Sequence, residues 1–164
     1  MSVAGAVSDA LLRRLDAESA IRRLVSTYCD AVHRLDADAA GALFAPDAAI
    51  RIADFPEIRG REAITEGMRQ TFATSAYLFQ QCDTGMIEIE GESARARLSV
   101  FEVNRRAGED RLGLIFGFYE DEYALLAEGW RFHRRRYTLS LRALAPADKL
   151  QQGAPFMPGL PFAG

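Results

Sequence analysis

Between Ile21 and Leu35 the apolar residues return at helical intervals. At about 100° per residue, Ile21, Leu24, Val25, Tyr28, Val32 and Leu35 crowd one direction, while Arg22, Arg23, Ser26 and Asp30 point away. The spacing predicts a long helix over 16–36, DAESAIRRLVSTYCDAVHRLD, that lays an apolar stripe on a partner. Asp16 is placed to cap it, Glu18 suits the positive end of its dipole and Arg34 the negative end. Before it, Leu11, Leu12 and Leu15 keep helical spacing in a short arm, residues 1–15, that must dock to be stable. After it, Asp38 can cap a shorter helix, AAGALF, that stops at Pro46. AAIRIADF then alternates like a short edge strand bounded by Pro56 and Gly60, and REAITEGMRQTF aligns Ile64, Met68 and Phe72 on one face of a third helix.

From Tyr77 the period becomes two. YLFQQC, MIEIEGESARARLSVFEV, RLGLIFGFYEDEYALL and GWRFHRRRYTLSLRAL read as consecutive strands, punctuated at Gly91, Gly108 and Gly129 beside acidic residues that suit turns. Gly113 and Gly117 fall inside a strand pattern, where glycine marks a bend or bulge, so the sheet should curl. These elements predict an α+β fold: a curved, mainly antiparallel sheet with three helices across its concave face. The space between helix and sheet is then the natural place for a small ligand.

Composition narrows the function classes. The chain of 164 residues, with 49% hydrophobic and 26% charged residues, has the balance of one ordinary domain, 1–164, ending in a proline-rich tail over 145–164. A net charge of −3 gives no general attraction to nucleic acid. No apolar run is long enough to span a membrane, and the start, MSVAGAVSDALLRR, lacks the pattern of a leader, so the expected setting is cytoplasmic. Cys29 and Cys82 lack metal-ligand spacing, and no phosphate loop or other cofactor motif occurs; the expected chemistry uses neither metal nor cofactor.

Tyr28, Asp36 and His33 ride on or beside the helical stripe and are candidates to line a pocket. His33 can take and return a proton near neutral pH, or can simply bond a backbone carbonyl. Tyr28 can donate to a substrate oxygen, or can be core. Phe79, Phe116, Phe118 and Trp130 could wall a cavity suited to a ring system. In RFHRRR, strand alternation puts Arg134 and Arg136 on the Trp130 face, where one could clamp a substrate; Asp121 should stand roughly opposite Arg134. Ile115, Tyr119, Tyr137, Leu139 and Leu141 should form the other face and bury it in a homodimer. Pro155 to Phe162 should fold back as a lid or onto a partner subunit.

The pieces IRRLVSTYCDAVHRLD, ALFAPDAAI, IRGREAI, GMIEIEGESARARL, GFYEDEY and GWRFHRRR, in this order, resemble the SnoaL-like branch of the NTF2-like superfamily. The resemblance implies a curved-sheet cone with helices at its mouth, usually dimeric, in a group that includes polyketide cyclases, steroid isomerases, dehydratases and a dehydrochlorinase. It further implies a Tyr on the first helix, matched by Tyr28, and a pocket Asp five residues on, where this chain has His33. The partner His of that Asp would stand where Gln80 and Gln81 are found, so the His–Asp dyad is missing as a pair. Three options follow: His33 is itself the base, with Asp36 or Gln80 orienting it or Tyr28, or the chemistry differs, or it is lost. The function expected is a cofactor-independent lyase, isomerase or cyclase acting on a hydrophobic small molecule by proton transfer. The alternative is a non-catalytic binding or scaffold protein.

Overall fold

The computed structural model describes residues 3–83 and 85–147; the proline-rich segment expected to act as a lid lies outside them. Helix α1 runs from Val3 to His33, so the arm and the predicted helix are one continuous element, and Asp16 lies within it rather than at its start. The apolar stripe is buried as its spacing requires: Ile21, Leu24, Val25, Tyr28 and Val32 are all at most 7% exposed. Each such aliphatic side chain removed from water contributes about 1.5–3 kcal/mol. Earlier in α1, Leu11, Leu12 and Leu15 are more than half exposed among the described residues.

Helix α2 (Ala37–Gly41) is shorter than its pattern suggested, and its cap is Asp36 instead of Asp38. The Asp36 carboxylate accepts from the Ala39 N–H at 2.9 Å and also binds Arg34. Phe44 to Pro46, expected to end that helix, begin strand β1 (Phe44–Ile52). β2 (Ile58–Arg59), α3 (Arg61–Ala73), β3 (Ser75–Cys82), β4 (Ile87–Glu90), β5 (Ser93–Arg106), β6 (Arg111–Leu126) and β7 (Gly129–Pro146) follow.

The seven strands form one curved, unclosed sheet in the order β2-β1-β7-β6-β5-β3, with β4 also pairing β5. Every pairing is antiparallel except β1 with β7, which is parallel. β1 is therefore an interior strand and not the predicted edge. α1 packs across the concave face, where Leu98, Val100, Tyr119, Tyr123 and Phe132 meet its stripe in one core.

Two irregularities in β7 decide what the concave face presents. Tyr123 pairs with Phe132 and Glu122 with Arg134, so His133 is an extra residue and the alternation changes phase after it. Arg135 thereby points inward, opposite Asp121. Gly117 pairs with Leu139 and Phe116 with Leu141, so the phase changes again at Ser140. The glycines of β6 have a second use. A Cβ on Gly117 would meet the Tyr137 side chain at 2.8 Å, and one on Gly113 would meet Asn104 Oδ1 at 2.5 Å; their absence lets both polar side chains lie against the sheet.

Candidate functional site

Along β5 the inward positions read Ala94, Ala96, Leu98 and Val100, and then switch to Glu102 and Asn104. The concave face accordingly carries two polar clusters, one under α1 and one further along the strands.

In the first, Arg135 lies wholly within the protein and grips Asp121 with both carboxylate oxygens, at 2.8 and 2.6 Å. Tyr123 donates to the same carboxylate at 2.9 Å. The guanidinium carbon sits 4.0–4.4 Å from the ring centres of Tyr28, Tyr119 and Phe132, an arrangement in which ring faces replace part of the lost hydration. Burial works against the cation, but the Asp121 charge and hydrogen bonds outweigh it and hold the Arg135 pKa well above its ordinary value. Burial raises the pKa of Tyr28 and Tyr119, against a lowering pull from Arg135, so both remain hydroxyl donors at neutral pH.

The second cluster centres on Glu102. Its carboxylate accepts from Gln80 Nε2 at 2.9 Å and from Asn104 Nδ2 at 2.6 Å, and Tyr119 donates to Gln80 Oε1 at 3.4 Å. The Tyr137 hydroxyl is buried with no partner among the described residues. Burial, and then the Glu102 charge, push its pKa up to about 12. Unlike the first cluster, this one opens outward: Leu139, on the same face, is 44% exposed, and Glu102 and Ile115 are half-buried.

His33 stands at the end of α1 against the edge strand β3. Its Nε2 lies 2.6 Å from the Gln80 carbonyl oxygen, an acceptor, so Nε2 is the donor in this contact. Its ring stacks on Phe79, centroids 4.6 Å apart and planes 8° from parallel. Cys29 of α1 and Cys82 of β3 are free thiols side by side; their mutual hydrogen bond lowers the pKa of Cys29 and raises that of Cys82.

Of the residues expected to line the site, Tyr28 and Gln80 face the interior and Trp130 is in the core. Asp36 is not with them, because its carboxylate is used in capping α2. Arg134 and Arg136 lie on the outer face, since the extra residue at His133 reverses the alternation on which their placement rested; Asp121 meets Arg135, not Arg134. Phe79 is taken up by its stack on His33 at the edge of the sheet, and Phe116 and Phe118 point outward, Phe116 against Phe101 and Phe118 beneath Arg97. Conversely, Ile115, Tyr119, Tyr137 and Leu139, expected on a dimer face, are inward, and Leu141 alone of that set is outward.

Arg134 and Arg136 line an outer groove of about 830 Å³ together with Arg95, Glu88, Glu120 and Glu122. Charges of both signs line it, and exposed pairs such as Arg95–Glu88 at 2.9 Å and Arg134–Glu122 at 3.8 Å partly neutralise one another. Among the described residues no set of three His, Cys, Asp or Glu side chains converges as a metal would require, and no helix is long and apolar enough to cross a membrane. Sequence reasoning missed Arg135, whose phase only the bulge reveals, and Glu102 and Asn104, whose inward alternation in β5 was open to inspection.

Residues 13–136 match the family model described as a SnoaL-like domain. No curated protein matches the chain. Among solved structures, a provisionally named scytalone dehydratase from Novosphingobium aromaticivorans is 20% identical, with 83% of this chain and 90% of that one covered and a TM-score of 0.74. The hexachlorocyclohexane dehydrochlorinase LinA-type3 from Novosphingobium barchaimii is 16% identical over 88% and 99% of the two chains, at a TM-score of 0.74. An NTF2-like protein with a cystatin-like fold from Novosphingobium aromaticivorans is 24% identical over 80% and 86%, at 0.68. At these identities the likeness establishes the architecture.

Proposed function

We propose that this chain, which belongs to the SnoaL-like domain family, is a cofactor-independent lyase, isomerase or cyclase that moves a proton on a hydrophobic small molecule bound at the concave face. The observation that carries the reading is the convergence on Gln80: His33 binds its carbonyl, Tyr119 its side-chain oxygen and Glu102 its amide. A protein needing only a scaffold gains nothing from such groups there, because each must be desolvated. The named relatives among solved structures, a dehydratase and a dehydrochlorinase, are in keeping with chemistry of this class.

In this reading the Gln80 carbonyl orients His33, and Nδ1 is the base; Tyr28, held protonated by burial, is the donor nearer the core. The test is a panel of enones, β-hydroxy ketones and polyketide-like phenols, with turnover and solvent-deuterium exchange followed by NMR. A positioned base contributes about 10²- to 10⁴-fold, so His33→Ala should raise the barrier by roughly 3–5 kcal/mol, and His33→Gln should be no better because an amide does not titrate. Exchange that survives both substitutions rules out His33.

The scaffold alternative draws support from the first cluster, where the Arg135–Asp121 pair and three rings fill the interior with the protein's own side chains. We also place a homodimer contact on the outer sheet face, where Phe116 and Leu141 pair across strands at 43% and 57% exposure. Sedimentation at the mass of one 18.1 kDa chain at micromolar concentration would refute it.

A further inference from the structure

We infer that Cys29 and Cys82 form a reversible disulfide when the protein meets a hydroperoxide, a covalent clamp between α1 and the edge strand β3. The inference stands apart from the enzymatic reading, since it needs no bound organic substrate.

Three observations converge on the pair. First, the register of the α1–β3 seam brings the two sulfurs together. His33 Nε2 reaches the Gln80 carbonyl at 2.6 Å; one helical turn back on α1 is Cys29, and two residues on along β3, on the same face, is Cys82. A turn of helix and two residues of strand cover nearly the same distance, roughly 6–7 Å, so the next rung of the seam is thiol against thiol. Secondly, these are the two cysteines of the whole chain, far apart in sequence, and both are free and hydrogen-bonded to each other. Packing alone asks only for small apolar side chains at these positions and does not require both to be thiols. Thirdly, the surroundings favour the thiolate that such chemistry needs. The Cys82 hydrogen bond lowers the Cys29 pKa against the effect of burial, and the buried Arg135 cation adds to the lowering. Cys82 is only half-buried and β3 lies at the end of the sheet, so a small oxidant can reach the pair from that edge.

The Cys29 thiolate attacks the near oxygen of the hydroperoxide. The O–O bond breaks, the far oxygen leaves with the proton that Cys29 gave up, as water or an alcohol, and Cys29 becomes a sulfenic acid. The Cys82 sulfur then attacks the Cys29 sulfur: the S–S bond forms, the S–O bond breaks, and the hydroxyl leaves with the Cys82 proton as water. The thiols lose two electrons and the peroxide gains them. A small dithiol reverses the change by exchange. In the oxidised form α1 is tied to β3 one turn away from His33.

The test treats the purified chain with hydrogen peroxide and reads its free thiols, its peptide map and its melting temperature, on wild type, C29S and C82S. Wild type should lose both free thiols and yield a peptide linking Cys29 to Cys82, and dithiothreitol should restore the starting state. Because the bond closes a loop of about 50 residues, oxidised wild type should melt roughly 5 °C or more above the reduced form, and neither variant should show the rise. C82S should stop at the sulfenic acid, trapped on Cys29 by dimedone, whereas C29S should take up no dimedone at the same dose. The wild-type readouts stand by themselves if a serine variant folds poorly. Thiols that stay free under peroxide, disulfides that join separate chains, or sulfinic acid on Cys29 with no linking peptide would each overturn the clamp.

Discussion

The two polar clusters of the concave face are built on the same strands, β6 and β7 among them, yet they are finished differently. Under α1, Asp121 has three donors, Arg135 has two charged acceptor contacts, and both are sealed from water by rings. Further along, Glu102 has two amides, the Tyr137 hydroxyl has no partner among the described residues, and Leu139 beside them is half exposed. Burial alone therefore does not mark a site. The first cluster is not fully paired either, since Arg135 Nη1 has no hydrogen-bond partner among the described residues, but ring faces enclose it, whereas the second lies at the margin of the core.

The largest effect that would sharpen the contrast is the loss of Arg135. Arg135→Ala leaves Asp121 buried without its counter-charge and should destabilise by about 3–5 kcal/mol in urea unfolding, whereas replacing both residues by leucine should recover most of that loss. A single substitution as mild as one on the surface would show that the cluster is wetter than its geometry implies. A second effect is alkaline. Tyr28, Tyr119, Tyr123 and Tyr137 all have pKa values raised in the fold, Tyr137 to about 12, and each is raised first by burial. The folded state thus holds these protons more tightly than the unfolded chain, whose tyrosines titrate near ~10. Stability should be unaffected below that pH and fall as pH rises beyond it towards 12 and above, with phenolate absorbance appearing together with unfolding. In E102Q, Tyr137 should ionise at lower pH than in wild type. Simple independent titration of all the tyrosines at their ordinary value would contradict the closed interior.

Smaller still is the cap. Asp36→Ala should lower stability by about 1 kcal/mol through α2 and leave ligand binding alone, separating this residue from the site in which its position on α1 seemed to place it. Least of all, Arg95→Ala should leave the urea-unfolding midpoint unchanged, because its partners Glu88 and Glu90 are well solvated.

How far the molecule could be read beforehand follows from the same chemistry. The stripe of α1 and the long strand β6 were legible because each buries one face and so keeps its period over many residues. Which Asp caps α2 was not, since Asp36 and Asp38 are equally able to accept from the first turn, and only the chain's exit from α1, with Leu35 at φ 54°, decides between them. The fate of RFHRRR was illegible for a sharper reason. One extra residue at His133 transfers Arg135 from the water to the core, and nothing in a run of like residues signals where the pleat slips. Glu102 and Asn104 were readable, because the inward positions of β5 turn polar after Val100 without any change of period.

The parallel pairing of β1 with β7 bears on how the chain is assembled. Ala49 stands beside Arg134, and Ile50 beside Arg135, across most of the sequence. During synthesis β1 and β2 emerge early and have no sheet to join until the last strand is complete, so the loop closed by this contact spans about half of the chain. Such non-local pairing slows the search for the native topology and leaves Phe44, Ala48 and Ile50 uncovered meanwhile. The β6–β7 hairpin brings Arg135 opposite Asp121 by a short connection, so burial of that charge and the later arrival of β1 on β7 are separate events that refolding can resolve.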